Sequence, residues 1–442
     1  MIDNQMIQDR YRPGSRFAEL MQVSAGRLAI GILYFLILNI ASDGAWSTFV
    51  SGLLPALFLG PLIYLLAWRE GWHRFDAVEG TTPIGVAMIA FSFFAILSTL
   101  ANPLPEDRWL PLLACYVMPV VLFYAVSVLR LSEAQVRRSV LAVAVGALVP
   151  LMLGAWEFYK VFGIPTGADL LASRYNLFRM QGYMDKTFGN TGNMAAYLAI
   201  LIPTAGAALV TYWRRRGARM LLMFTLLLAF VHVLIVQSRT LFIVLTLAFP
   251  VIALFYRLRF GAIVFALLVV TTAVAVPVLT AVDQFLDNTV GAAAGLNADN
   301  SVSERLSAMQ SAYQILKDHF TFGVGPGNSL LFNPFTSAHE YILQQGSEIG
   351  AVGIPLAVML TGAYVYRGFD LFKARAFDPY CKVRFAMMIG PITYYMYGVI
   401  ANMPLAQSVM TPWVGLTSLL AGANFIRVAP ALEVGAQPEP QV

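Results

Sequence analysis

Charge is what this sequence has least of. Only 12% of its 442 residues are Asp, Glu, Lys or Arg, against ~25% in an ordinary soluble domain. It has two cysteines, Cys115 and Cys381, far apart and each bordering an apolar run, so neither a disulfide framework nor a thiolate metal site is expected. No His/Cys cluster has metal-ligand spacing, no Walker loop is present, and no carboxylate pair of the DxD kind stands in the segments assigned below to the outer side. Those absences argue against P-loop nucleotide chemistry and zinc hydrolysis. The stretch Gly323-Val-Gly-Pro-Gly-Asn328 is glycine-rich, but no strand pattern precedes it, so it reads as a turn re-entering the membrane.

What the chain has instead is hydrophobicity: 58% of its residues are apolar and its mean hydropathy is +0.69. That composition belongs to an all-α polytopic membrane protein. Twelve apolar runs approach or exceed the ~17–20 residues that cross a hydrocarbon core. They are Met21–Ala41, Phe49–Trp68, Pro83–Leu100, Leu110–Leu129, Val140–Val161, Asn193–Trp213, Met220–Val236, Thr240–Tyr256, Ala262–Leu279, Ile349–Tyr366, Phe385–Ala401 and Val409–Ile426. The organisation is then residues 1–280 with spans one to nine, a large loop at 281–341, spans ten to twelve within 342–427, and a Pro/Ala/Glu-rich tail at 428–442 expected to be disordered. The first 26 residues are polar, with Arg10, Arg12 and Arg16, and the first apolar run reads as a signal anchor.

Charge placement supports this count. With the N-terminus in the cytoplasm, all but eight of the 29 Lys and Arg fall in cytoplasmic segments, as the positive-inside bias requires. The net charge of +5 therefore reflects topology and implies no nucleic-acid partner. The eight exceptions are Arg108, Lys160, Arg174, Arg179, Lys186, Arg239, Arg305 and Lys317. Arg174, Arg179 and Lys186 share the loop 162–192. Arg239 stands in the very short turn Gln237-Ser-Arg-Thr240 between two apolar runs, which holds it near the membrane surface. Arg239 is either a snorkelling residue that orients the turn or a cation for an anionic substrate group.

Within the large loop, Val302, Leu306, Met309, Tyr313, Leu316 and Phe320 are spaced as one stripe of a helix. Ser301 with Glu304 has the spacing of a capping box, and Gly323 supplies a stop. Arg305 and Lys317 border the stripe, and Arg305 either snorkels there or serves a site. The helix is expected to lie on the membrane surface or on the bundle. Asn190 and Asn193 are expected to cap span six. His339 lies where the loop returns to the membrane. It is either a structural histidine or a group able to take a proton from a hydroxyl near neutral pH.

Four stretches in order carry a resemblance: Phe188-Gly-Asn-Thr-Gly-Asn through Pro203; Gln237-Ser-Arg239; Ser303-Glu-Arg305 with the helix and Asp318-His through Asn328; and His339-Glu-Tyr-Ile-Leu343 with Glu348-Ile-Gly-Ala-Val-Gly-Ile354. Together they resemble the O-antigen ligase and polymerase superfamily, whose His-Asn-x-x-Leu segment is matched with Glu340 in place of Asn. The resemblance implies a GT-C-like fold and cofactor-free, metal-independent, inverting glycosyl transfer on the periplasmic face of a bacterial inner membrane. The donor it implies is an undecaprenyl-pyrophosphate-linked glycan. The acceptor is a lipid A-core sugar hydroxyl in a ligase, or another lipid-linked glycan in a polymerase. By motif position it assigns essential roles to Arg239, Arg305 and His339, with Arg174, Arg179 and Lys186 as weaker candidates for phosphate contacts. A protein-O-linked oligosaccharyltransferase is a further possibility within the superfamily. From another class, a secondary transporter would place ionisable residues within the spans and show two related halves.

Overall fold

The computed structural model describes residues 27–38, 40, 53–69, 82–102, 116–131, 133–162, 191–236, 238–258, 300–329, 340–378, 380–400, 416–418, 420–422 and 427–428. The described residues are helical apart from turns and one two-residue pairing. The helices are α1 (Arg27–Leu38), α2 (Leu53–Arg69), α3 (Pro83–Ala101), α4 (Met118–Ser127), α5 (Glu133–Phe162), α6 (Thr191–Thr211), α7 (Arg216–Val236), α8 (Arg239–Tyr256), α9 (Asn300–Asp318), α10 (Tyr341–Ile349), α11 (Gly353–Ala374) and α12 (Cys381–Ile400). Residues 416–418 and 420–422 are also helical. The strands β1 (Arg130–Leu131) and β2 (Arg427–Val428) pair in parallel, Arg130 opposite Arg427.

Among the described residues, four helical stretches are long and apolar enough to cross a membrane: Pro83–Ala101, Ala134–Lys160, Gly192–Thr211 and Arg216–Val236. Shorter apolar helices cover Arg27–Leu38, Phe58–Arg69, Met118–Ser127 and Thr240–Tyr256. The expected ninth span at 262–279 lies outside the described residues, as do the loop stretches 281–299 and 330–339. The tenth span begins later than its hydropathy suggests. Ile349 ends the short helix α10, and α11 starts at Gly353 after Gly350 turns the chain at φ 87°.

Helix α6 is the centre of the bundle, since Met194 through Ile202 are all buried. It packs closely on α12, where a Cβ at Gly390 would stand 2.1 Å from Thr204 Oγ1 and 2.6 Å from the Ile200 carbonyl. Small residues permit such backbone approach where lipid supplies no hydrophobic drive between helices. Asn193 was read as a cap of this helix; it lies inside the helix and is buried, while Asn190 falls outside the described residues. Interior prolines (Pro61, Pro150, Pro203, Pro250 and Pro391) are tolerated because neighbouring helices resatisfy the freed backbone groups. The bundle also wears large apolar side chains outward. On α3, Val86, Ile89, Phe93, Ile96 and Leu100 form one exposed stripe along its length, which is the pattern of a lipid-facing helix.

Polar contacts fix the two ends of the bundle. At one end Thr211 Oγ1 meets Tyr256 Oη at 2.8 Å, Tyr256 Oη donates to the Lys382 carbonyl at 2.8 Å, and Arg375 Nη1 donates to the Leu254 carbonyl at 3.2 Å. The C-termini of α6, α8 and α11 and the N-terminus of α12 therefore lie together. Arg214, Arg215, Arg216, Arg257, Lys373, Arg375, Lys382 and Arg384 make this the basic end. At the opposite end, Ser98 Oγ near the close of α3 donates to the Glu348 carbonyl at 2.8 Å, and Asn102 Nδ2 donates to the Gly323 carbonyl at 2.9 Å. The start of α8, the turn after α9, α10 and the start of α11 share that end.

The helix expected in the large loop is α9, with two corrections. It starts at Asn300, so Ser301 lies inside its first turn and not at the cap position. The stripe read as its buried face is largely exposed: Tyr313 is 57% and Phe320 64% accessible, while Ala308 (2%), Ala312 (4%), Ile315 and Leu316 are buried. At ~100° per residue the helix is rotated by about a quarter turn from the expected orientation. The alanines let it approach α10 closely, leaving Met309, Tyr313 and Phe320 outward. The stop signal at Gly323 holds: its N–H donates to the His319 carbonyl at 2.8 Å, and its φ is 66°.

Candidate functional site

The end opposite the cations is built from three pieces: the start of α8, the glycine-rich turn after α9, and α10. Helix α8 begins immediately after α7, with residues 237 and 238 between them. Ser238 is its N-cap, with Oγ accepting from the Leu241 N–H at 3.3 Å, and Arg239 is the first helical residue. A cation at a helix N-terminus opposes the macrodipole, so this position gains nothing for α8 itself. It does pair a guanidinium with free backbone N–H groups, an arrangement suited to an anion. Arg305 lies in the second turn of α9, one turn before Ala308 in the register of the buried face. Arg239 and Arg305 are placed here by their backbones. His339, Arg174, Arg179 and Lys186 lie outside the described residues. Among the described residues, no group of three or more His, Cys, Asp and Glu is able to hold a metal ion.

The turn Gly323–Asn328 is locked to α10 backbone to backbone. The Val324 N–H donates to the Ser347 carbonyl at 3.0 Å, the Gly325 N–H to the Glu348 carbonyl at 2.9 Å, and the Ala351 N–H to the Phe320 carbonyl at 2.8 Å. Gly323, Gly325 and Gly327 all have positive φ, which only glycine adopts without strain. A Cβ on Gly323 would meet the Glu348 carbonyl carbon at 2.4 Å. The glycines are thus required for close approach to a neighbouring helix; no strand precedes them among the described residues.

Helix α10 follows directly on His339. Glu340 is its N-cap, with one carboxylate oxygen accepting from the Ile342 N–H at 2.9 Å and the other from the Leu343 N–H at 2.6 Å. This answers the question raised by Glu340 standing where Asn is usual. Both side chains offer an oxygen to a helix N-terminus, and a carboxylate also complements the dipole there.

Beneath the cap is a buried polar cluster that sequence reading missed. Glu348 is 1% exposed. Its Oε1 accepts from Ser329 Oγ at 3.0 Å and from Gln344 Nε2, its Oε2 meets Tyr116 Oη at 3.1 Å, and the Gly327 N–H also bonds the carboxyl. Tyr116 Oη donates to Gln345 Oε1 at 2.7 Å, and its ring stacks on Phe91 of α3, which stacks in turn on Tyr341. Burial pushes the Glu348 carboxyl above the usual carboxylate range, partly offset by the bonds from Gln344, Gly327, Ser329 and Tyr116. The sequence did hold a signal for it: an acid at the threshold of an apolar run, four residues after Gln344, is expensive unless it is used.

Residues 224–358, from within α7 to the start of α11, match the family model described as O-antigen ligase. No curated protein matches the chain significantly. The matched segment holds Arg239, Arg305, the glycine-rich turn, His339 and Glu348. The segment that builds this end of the bundle belongs to the O-antigen ligase superfamily.

Proposed function

We propose that the protein is a glycosyltransferase of the O-antigen ligase type. It would move a glycan from undecaprenyl pyrophosphate onto a sugar hydroxyl of the lipid A core at the periplasmic face of the inner membrane. The observation that carries this reading is Arg239. It lies within the matched segment, at the first position of α8, at the end of the bundle away from the cations. The basic end then faces the cytoplasm by the positive-inside rule, in a twelve-span topology with the large loop outside. The exposed Met309, Tyr313 and Phe320 of α9 suit contact with the outer leaflet.

In this mechanism the acceptor oxygen attacks the anomeric carbon on the face opposite the phosphate. The new glycosidic bond forms as the bond between sugar and phosphate oxygen breaks, which inverts the centre. The electron pair leaves on the lipid pyrophosphate, and the guanidinium groups of Arg239 and Arg305 stabilise that charge as it develops. The hydroxyl proton passes to the neutral imidazole of His339 as general base. Arg174, Arg179 and Lys186 supply further phosphate contacts. No step calls for a metal.

A deletion strain examined for its lipopolysaccharide tests the assignment. Core without O-chain, together with accumulated lipid-linked polymer, is the expected result. Core carrying a single repeat unit would make the protein a polymerase, and unaltered lipopolysaccharide would remove it from this pathway.

A further inference from the structure

Tyr116 has one hydroxyl proton and two acceptors. Gln345 Oε1 lies 2.7 Å from Oη and Glu348 Oε2 lies 3.1 Å from it. One proton cannot serve both contacts. If Glu348 is a carboxylic acid, its own proton fills the second: Oε2–H donates to Tyr116 Oη, and Tyr116 O–H donates to Gln345. Its Oε1 remains free to accept from Ser329 and Gln344. Ser329 Oγ in turn accepts from Gln344 Nε2 at 2.7 Å. Among the described residues no cation pairs with Glu348, and its environment disfavours charge by burial.

The same residue ties together segments that are distant in sequence. Its carbonyl holds Ser98 of α3 and Gly325 of the turn, and its carboxyl holds Tyr116, Ser329, Gly327 and Gln344. All of them are fixed to α10, whose N-cap is Glu340. His339 is bonded directly to that cap.

We infer that Glu348, as a neutral acid, is a positioning residue that locks α3, the α4 entry, the glycine-rich turn and α10 into one block and so fixes where His339 stands. This rests on the proposed base role of His339. The acid is not consumed in the reaction. Its side chain acts through the block, so its loss should lower kcat and leave donor KM unchanged.

The test is in vitro transfer by purified full-length protein in detergent, using undecaprenyl-pyrophosphate-linked glycan and rough lipopolysaccharide as substrates. Glu348→Ala should lower kcat by about 10²-fold, the cost of a misplacement on the order of 1 Å. Glu348→Gln should keep most of the rate, because its amide donates to Tyr116 as the acid did. Tyr116→Phe keeps the ring stack but removes the proton relay. It should lower kcat in the same sense and serves as the deciding variant if Glu348→Ala fails to fold. Against a His339→Ala background, whose residual rate is the reference, these substitutions should cost almost nothing further. An infrared difference spectrum of Glu348→Gln should lose a protonated-carboxyl carbonyl band.

Glu348→Gln as inactive as Glu348→Ala, or absence of that band, overturns the neutral acid. Normal kcat in folded Glu348→Ala or Tyr116→Phe, or a loss that persists in full without His339, overturns the positioning role. Full activity of His339→Ala defeats the base assignment itself, and it is read separately from the infrared result on Glu348.

Discussion

Gly323→Ala is the sharpest structural perturbation of the proposed site, because it adds one methyl group where backbone already stands. The Cβ would lie 2.4 Å from the Glu348 carbonyl carbon, 2.5 Å from its oxygen and 2.6 Å from the Gly350 nitrogen. These are main-chain atoms, and no flexible side chain can swing away. Ordinary contact begins at 3.4 Å, so the turn and the end of α10 must separate by about 1 Å. The left-handed conformation at φ 66° adds roughly 1–2 kcal/mol for a residue with a Cβ. The separation breaks the fit that holds Val324 to Ser347 and Gly325 to Glu348. A shift on the order of 1 Å near a reacting group costs about 10²-fold in rate. The expected result is a folded protein with kcat down by about that factor and donor affinity nearly unchanged, since Arg239 stands on a different helix. Gly217→Ala in the first turn of α7 is the control: nothing lies within 4 Å of its Cβ, and alanine there should be neutral or stabilise by up to ~1 kcal/mol. Thermal unfolding and single-turnover transfer on the same preparations separate the two effects. Wild-type turnover by Gly323→Ala would show that the junction between turn and helix does not position the chemistry.

Other outcomes follow from the same geometry. With Cys115 and Cys381 replaced, Gln310→Cys on α9 should react with a membrane-impermeant thiol reagent in spheroplasts while Gly217→Cys should not; the reverse pattern would invert the assigned topology. Arg239→Lys and Arg305→Lys keep charge but lose the planar fork, so each should lose most of its transfer activity; near-normal rates in both would reduce them to snorkelling residues. Because burial raises the Glu348 pKa, its contribution to stability is fully present below the unfolded carboxyl value of ~4.3 and is lost as pH rises through the raised folded value. Melting temperature measured against pH should therefore decline on the alkaline side in wild type, and Glu348→Gln should flatten that decline; parallel curves would mean that Glu348 does not titrate against folding.

The sequence by itself determined the helical class, the membrane habit and the sidedness of charge. Hydropathy and positive-inside bias are sums over neighbouring residues, and no partner has to be known to read them. It also located Arg239 and the stop at Gly323, since both follow from the local chain. The tertiary structure decided which face of α9 is buried. Periodicity finds the apolar stripe, but the face used is the one whose alanines permit close approach, and lipid gives the bulky stripe an acceptable outward environment. Tertiary structure likewise decided that α10 is separate from α11, because the break at Gly350 answers to the Thr321 carbonyl 2.5 Å from where its Cβ would be. It alone revealed the Glu348 cluster. Ser98 and Tyr116 stand 250 and 232 residues before Glu348 in the chain. A hydrogen bond is made by positions in space, and nothing in the local sequence of any partner specifies the other.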